Sequence, residues 1–233
     1  MKTIGILGGM SWESTAHYYR RLNEGARARL GGLHSARIAL VSVDFASIEP
    51  LQAAGDWETA GQRLAADARR VEAAGADLLL LATNTMHRCA DAIAAAIDIP
   101  LLHLADATGD ALVAAGHRRV ALLGTRYTME QPFYRERLEA RGLTVEVPPA
   151  NDRAELDRII FDELCLGTVT AASAATLRRM IDDLAAGGAE AAIAGCTEIT
   201  LLIGAADSPR PLFDTTAIHT DAALAAALAD EPR

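Results

Sequence analysis

Cysteine is scarce in this chain of 233 residues, which carries only Cys89, Cys165 and Cys196. Three thiols cannot all pair, and none stands in a Cys-x-x-Cys or other metal-ligating spacing. That excludes a disulfide-stapled scaffold and a cysteine-held metal, and it points to a reducing, cytoplasmic compartment. Positive charge is short too: 22 Lys+Arg stand against 31 Asp+Glu, a formal net charge of −9. A nucleic acid or an anionic membrane surface would need clustered Lys/Arg, so neither is expected as a partner. No apolar run approaches the ~20 residues that span a bilayer. The short apolar run from Thr3 ends in Gly8-Gly9, too soon for a secretion signal with a cleavage site. What the chain does have is material for a core. Hydrophobic residues are 51 % and charged residues 23 %, the balance of a globular protein rather than a disordered one. The length allows one large domain or two compact ones.

Alanine, at 49 residues, favours helices but blurs their periodicity, so the strands are read first. Apolar runs ending in Gly or small polar residues fall at 3–8, 37–43, 77–82, 120–124, 191–195 and around 212–213. Most are continuous rather than alternating, as strands covered on both faces must be. Helical stretches are expected from the first turn to about Leu30 and at 56–75, 84–97, 104–116, 151–164, 170–187 and 214–229. This alternation implies right-handed βαβ units and an α/β fold with parallel sheets. A weak repeat divides the chain. Residues 5–10 resemble 121–126 and residues 79–84 resemble 192–197, at offsets of 116 and 113. Two similar Rossmann-like lobes are therefore expected, one formed by 1–104 plus 209–233 and the other by 105–208. Ligands of open α/β sheets bind beyond the carboxyl ends of the strands. The turns at 8–11, 83–87, 124–129 and 196–200 should then surround one cleft between the lobes.

Each turn has an ordinary and a functional reading. Gly8-Gly9-Met10-Ser11 lacks the full GxGxxG fingerprint, so a helix capped by Ser11 or its neighbours is favoured over a nucleotide site. Thr83-Asn84-Thr85 sets three polar residues directly after four leucines, more than a helix cap needs, and so points to a ligand. His87, four residues on, shares a helix face with Thr83, although a lone histidine is more often structural. Cys89 and Cys165 are expected to be buried core thiols. Cys196, between Gly195 and Thr197-Glu198, is expected at a helix N-terminus, which lowers a thiol's pKa and favours thiolate. Such a thiolate suits removal of a Cα proton. Racemisation without a cofactor would need a second such group on the opposite side of the Cα, and two equivalent turns supply it. Arg126 is a candidate for the substrate's distal carboxylate, with a solvated surface position the even alternative.

These residues resemble the aspartate/glutamate racemase family, closest to its L-aspartate/glutamate-specific, broad-specificity amino-acid racemases. The resemblance is carried in order by Ile4–Thr15, Ser42–Phe45, Thr83–His87, Leu123–Glu130, Asp162–Gly167 and Gly195–Ile199. It implies two lobes related by a pseudo-twofold, no pyridoxal phosphate or other cofactor, and catalytic groups at positions 83 and 196. It further implies that Met10, Gln52, Thr83, Asn84, Thr85, Cys196 and Thr197 hold the substrate, with Thr125 on a carboxylate; His87 and Glu198, beside the two proposed groups in sequence, are read from the residues themselves as supporting. Position 83 departs from the family's two-cysteine pattern. A threonine hydroxyl is too weak an acid to copy a thiolate base, but it can return a proton if water or His87 resupplies it. Asymmetric catalysis is the expected result. The alternatives are a one-thiol decarboxylase or isomerase of the same superfamily and a non-catalytic amino-acid binder. The expected partner is a small amino acid, and a homodimer is left open.

Overall fold

A computed structural model describes residues 1–229. The chain divides into two compact units, one of Met1–Leu104 with the chain from His219 onward and one of Ala105–Ile218.

In the first unit the order is β1 (Ile4–Gly8), α1 (Trp12–Leu30), β2 (Ile38–Ser42), α2 (Glu49–Ala54), α3 (Trp57–Ala73), β3 (Leu78–Leu81), α4 (Ala90–Ala94) and β4 (Leu101–Leu102). The four strands form a parallel sheet in the order β2-β1-β3-β4. α5 (Leu104–Ala114) then carries the chain across the unit boundary. The second unit contains β5 (Arg119–Gly124), α6 (Arg126–Glu130), α7 (Pro132–Glu139), β6 (Thr144–Glu146), α8 (Ala150–Arg158), α9 (Ala171–Ala186), β7 (Ala191–Gly195), α10 (Ile199–Leu202) and β8 (Leu212–Asp214). Its parallel sheet runs β6-β5-β7-β8, the same order shifted by four strands. α11 (Thr215–Leu228) closes the described chain.

The continuous apolar strands are buried as their composition requires. Every residue of β1, β3 and β7 is buried. Leu79, Leu80 and Leu81 are wholly inaccessible, each a stabilisation of about 1.5–3 kcal/mol relative to exposure. Successive residues face opposite sides of the sheet. Leu79 and Leu81 accordingly join Leu64 and Val71 of α3, while Leu80 joins Tyr18 and Leu22 of α1 and Leu224 of α11. In the second unit one cluster gathers Leu123 of β5 with Leu156 of α8, Leu177 and Ile181 of α9 and Ile199 of α10.

Several expected boundaries move. Residues 209–218 stay with the second unit, because β8 pairs with β7 through Ala192–Leu212 and Ala194–Asp214. The return comes at His219, and residues 230–233 of the expected first-lobe segment lie outside the described ones. The edge strands β4 and β6 were not anticipated: one has two residues, and the other, Thr-Val-Glu, has a single apolar one. Neither were α6 and α7, whose sequences are dense in charge. The single helix expected at 84–97 is a 3-10 turn (Thr85–Cys89) followed by the short α4. The one expected at 151–164 ends at Arg158 and continues as a π turn over Ile159–Glu163. Among the described residues no helix is long and apolar enough to cross a membrane.

Candidate active site

The first turn is built on glycine. Gly9 has φ +94, and a Cβ there would stand 2.2 Å from the Val43 carbonyl oxygen, so a side chain is barred by both backbone and space. Its N–H donates to Thr15 Oγ1 at 2.8 Å. Ser11 caps α1 by accepting from the Ser14 N–H at 3.2 Å, which is the ordinary reading of this turn. The side chain of Met10 packs in the apolar core beside Leu7 and Leu81. Gln52 lies on α2 at 5 % exposure, and its amide makes no hydrogen bond among the described residues.

At the end of β3, Asn84, Thr85, Met86 and His87 are buried while Thr83 remains half-exposed. The Thr83 hydroxyl makes no hydrogen bond among the described residues; only the backbone of this residue is engaged. His87 holds the turn from beneath, with Nδ1 2.7 Å from the Thr83 carbonyl oxygen and Nε2 accepting the Leu104 N–H at 3.2 Å. Both ring nitrogens are committed to backbone, so His87 is not placed to resupply a proton to Thr83. That expectation is withdrawn.

At the end of β7 the backbones close up. A Cβ on Gly195 would lie 2.7 Å from the Leu123 carbonyl oxygen. Cys196, Thr197 and Glu198 are all half-buried. Glu198 Oε2 accepts two hydrogen bonds, from the Cys196 thiol at 2.8 Å and from the Thr197 hydroxyl at 2.9 Å. Burial and the Glu198 carboxylate together push the Cys196 pKa well above its ordinary 9.0. The expected depression is therefore corrected, for two reasons. The helix beyond begins only at Ile199 and has four residues, too short for a useful dipole. A carboxylate, moreover, accepts the S–H bond and stabilises the thiol form. Cys196 rests as a proton donor.

Thr125 is buried and caps α6, accepting from the Thr128 N–H at 3.4 Å. Arg126 is exposed and stacks on Tyr127, 5.4 Å from the ring centroid, which favours its solvated reading. Cys89 is buried as expected, with desolvation raising its pKa to about 11. Cys165 is exposed, because it sits in a 3-10 turn (Leu164–Leu166) after the π turn rather than on a core-facing helix. No His/Cys/Asp/Glu group suited to a metal occurs among the described residues. Sequence reasoning missed His219. Its buried ring lies 5.9 Å from that of His87 and bonds to Tyr18 Oη at 3.0 Å and the Leu102 carbonyl at 2.8 Å. No local motif marks it, since its partners are 117 and 201 residues away in sequence.

A threonine after β3 and a thiol after β7, in two sheets of one strand order, can be set against known proteins. The sequence model of the Asp/Glu/Hydantoin racemase family matches residues 7–223. The chain belongs to this family. A Yersinia pestis structure named after Asp/Glu racemases is 54 % identical, with a TM-score of 0.93 over 98 % of this chain and 100 % of that one. PH1733 from Pyrococcus horikoshii OT3, described as an aspartate racemase homologue, is 34 % identical, with a TM-score of 0.86 over 97 % and 99 %. Glutamate racemase from Francisella tularensis, solved with D-glutamate, shares the two-lobed α/β fold at 13 % identity, with a TM-score of 0.67 over 98 % and 81 %. Membership in the racemase family thus rests on sequence across nearly the whole chain and on close structural likeness.

Proposed function

We propose that this chain racemises acidic amino acids, aspartate or glutamate, by moving the Cα proton without pyridoxal phosphate. Cys196 works on one side of the Cα and Thr83 on the other. The observation that carries the reading is the Cys196–Glu198 pair at the carboxyl end of β7: a thiol with a carboxylate 2.8 Å away to take or return its proton. A further observation supports it: the Thr83 hydroxyl ends the equivalent strand of the repeat without a partner among the described residues.

The raised thiol pKa sets the order of events. To act as a base, Cys196 must first lose its proton. That ionisation costs free energy at neutral pH and adds to the barrier of the chemical step. A substrate ammonium beside Sγ lowers that cost by offsetting the Glu198 charge. The carbanion is then protonated from the Thr83 side to invert the centre, or again by Cys196 to restore it. A hydroxyl is a poor base, so the reverse direction, which begins at Thr83, is slow.

The test is incubation with L- and D-aspartate and L- and D-glutamate in D₂O, following loss of the α-proton signal by NMR and the appearance of the other antipode. Exchange with inversion is expected for an acidic amino acid. Tight binding with no deuterium uptake would leave only a binder. The protonated state of Cys196 also favours a second reading, one-sided protonation of a carbanion left by decarboxylation. Release of CO₂ from a substituted malonate, without exchange of any amino acid, would select it.

A further inference from the structure

The imidazole of His87 is 2 % exposed, and both its nitrogens have backbone partners that fix its state. Leu104 N–H donates to Nε2 at 3.2 Å, so Nε2 carries no proton. The proton is then on Nδ1, which donates to the Thr83 carbonyl oxygen at 2.7 Å. The ring is neutral, and its tautomer follows from its neighbours. Its two anchors are not equivalent pieces of chain. Thr83 is the half-exposed residue at the tip of the β3 turn. Leu104 is the last residue of the first unit and the first of α5. Two more rings pack against it, His103 with centroids 4.5 Å apart and His219 at 5.9 Å. His219 shows the complementary pattern: Nε2 bonds the Leu102 carbonyl oxygen, so that nitrogen bears the proton, and Nδ1 accepts from the Tyr18 hydroxyl. Residues 102 and 104, on either side of His103, are thus tied to two imidazoles of opposite tautomer.

We propose that His87 is a positioning residue for Thr83: its Nδ1–H fixes the Thr83 carbonyl, and with it the bearing of the Thr83 hydroxyl, against the fixed point of the Leu104 amide. This rests on the reading of Thr83 as the second proton-transfer group. A cap or loop bond would have served to hold the chain in place; an imidazole wedged between two backbone groups 21 residues apart holds an angle. Misplacing a reacting group by about 1 Å costs up to ~10²-fold in rate. The hydroxyl, which has no other hydrogen bond among the described residues, depends on its backbone for direction.

The two halves of the clamp can be removed separately. Asn places its amide nitrogen where His has Nδ1, and Gln places an amide oxygen where His has Nε2. His87→Asn keeps the donor to Thr83, and His87→Gln keeps only the acceptor for Leu104. Inversion in His87→Gln is expected to fall about tenfold or more, while α-proton wash-out through Cys196 in the same variant changes less than about threefold. His87→Asn is expected to recover most of the inversion. Equal losses in the two variants, or equal losses of wash-out and inversion, would overturn the proposal, because they mark a general structural role. A second measurement needs no substrate: ¹⁵N NMR of the His87 ring at neutral pH should show a neutral Nδ1–H tautomer. An Nε2–H tautomer or an imidazolium would remove the clamp outright. If no amino acid exchanges in the wild type, the racemase reading fails while the ring spectrum still decides the clamp.

Discussion

The end of β3 and the end of β7 are the same place in two copies of one sheet, yet they are built in opposite ways. After β3 the side chain proposed to react is a hydroxyl with no hydrogen bond of its own among the described residues, and its support is His87 on its carbonyl, with the His103 and His219 rings packed edge-on against that imidazole. After β7 the side chain proposed to react is a thiol, and its partner lies beside it, as Glu198 bonded to Sγ itself. One turn steers by backbone and the other by charge. The difference teaches that a weak acid such as threonine gains from being aimed. A thiol gains or loses by the charge next to it, which sets how readily it ionises.

The comparison is broken most severely by removing the thiol. Cys196→Ala should lower both α-proton exchange and inversion by about 10²–10⁴-fold, measured by NMR in D₂O; residual exchange within tenfold of wild type would contradict the role. The buried support of the other turn shows in stability. Burial depresses the His219 pKa to about 4 from 6.5, so the folded state resists a proton that the unfolded chain accepts. Stability is therefore lost as the pH falls from 6.5 to about 4, by about 3 kcal/mol in all. Urea unfolding of His219→Gln should show a shallower dependence across that window, and an unchanged slope would remove His219 as the source. Thr83→Cys makes the two turns alike. It should raise the slow direction about tenfold or more, seen as initial rates from each antipode drawing together. Glu198→Gln is the finest cut. Removing the like charge lowers the Cys196 pKa, so the alkaline rise in kcat/KM should move to lower pH. A rise that stays in place would deny the coupling.

Much of this was legible in the sequence because parallel strands buried on both faces have to be apolar. The four leucines of β3 and the Ala-Ala-Ile-Ala run of β7 announce themselves, and the repeat of their turns gives Thr83 and Cys196 equivalent positions at the ends of those two strands. Edge strands escaped for the converse reason: β4 and β6 are short and only partly buried, so no hydrophobic signal is required of them. The charge state of Cys196 was misread because a helix start was expected where the chain places Glu198, two residues on, with its carboxylate folded back to Sγ. A side-chain rotamer is not a pattern in the sequence. The tie between His87 and Leu104 was hidden likewise, since a backbone N–H carries no residue code.

The account stands or falls on the two turns being unequal. The most direct measurement is the initial rate of solvent deuterium incorporation from each antipode of the preferred amino acid, taken separately with the same wild-type preparation. Fast incorporation from one antipode and slow incorporation from the other is the predicted result. Equal rates from both would mean that Thr83 and Cys196 are equally good bases, and the assignment of roles given to them would be wrong.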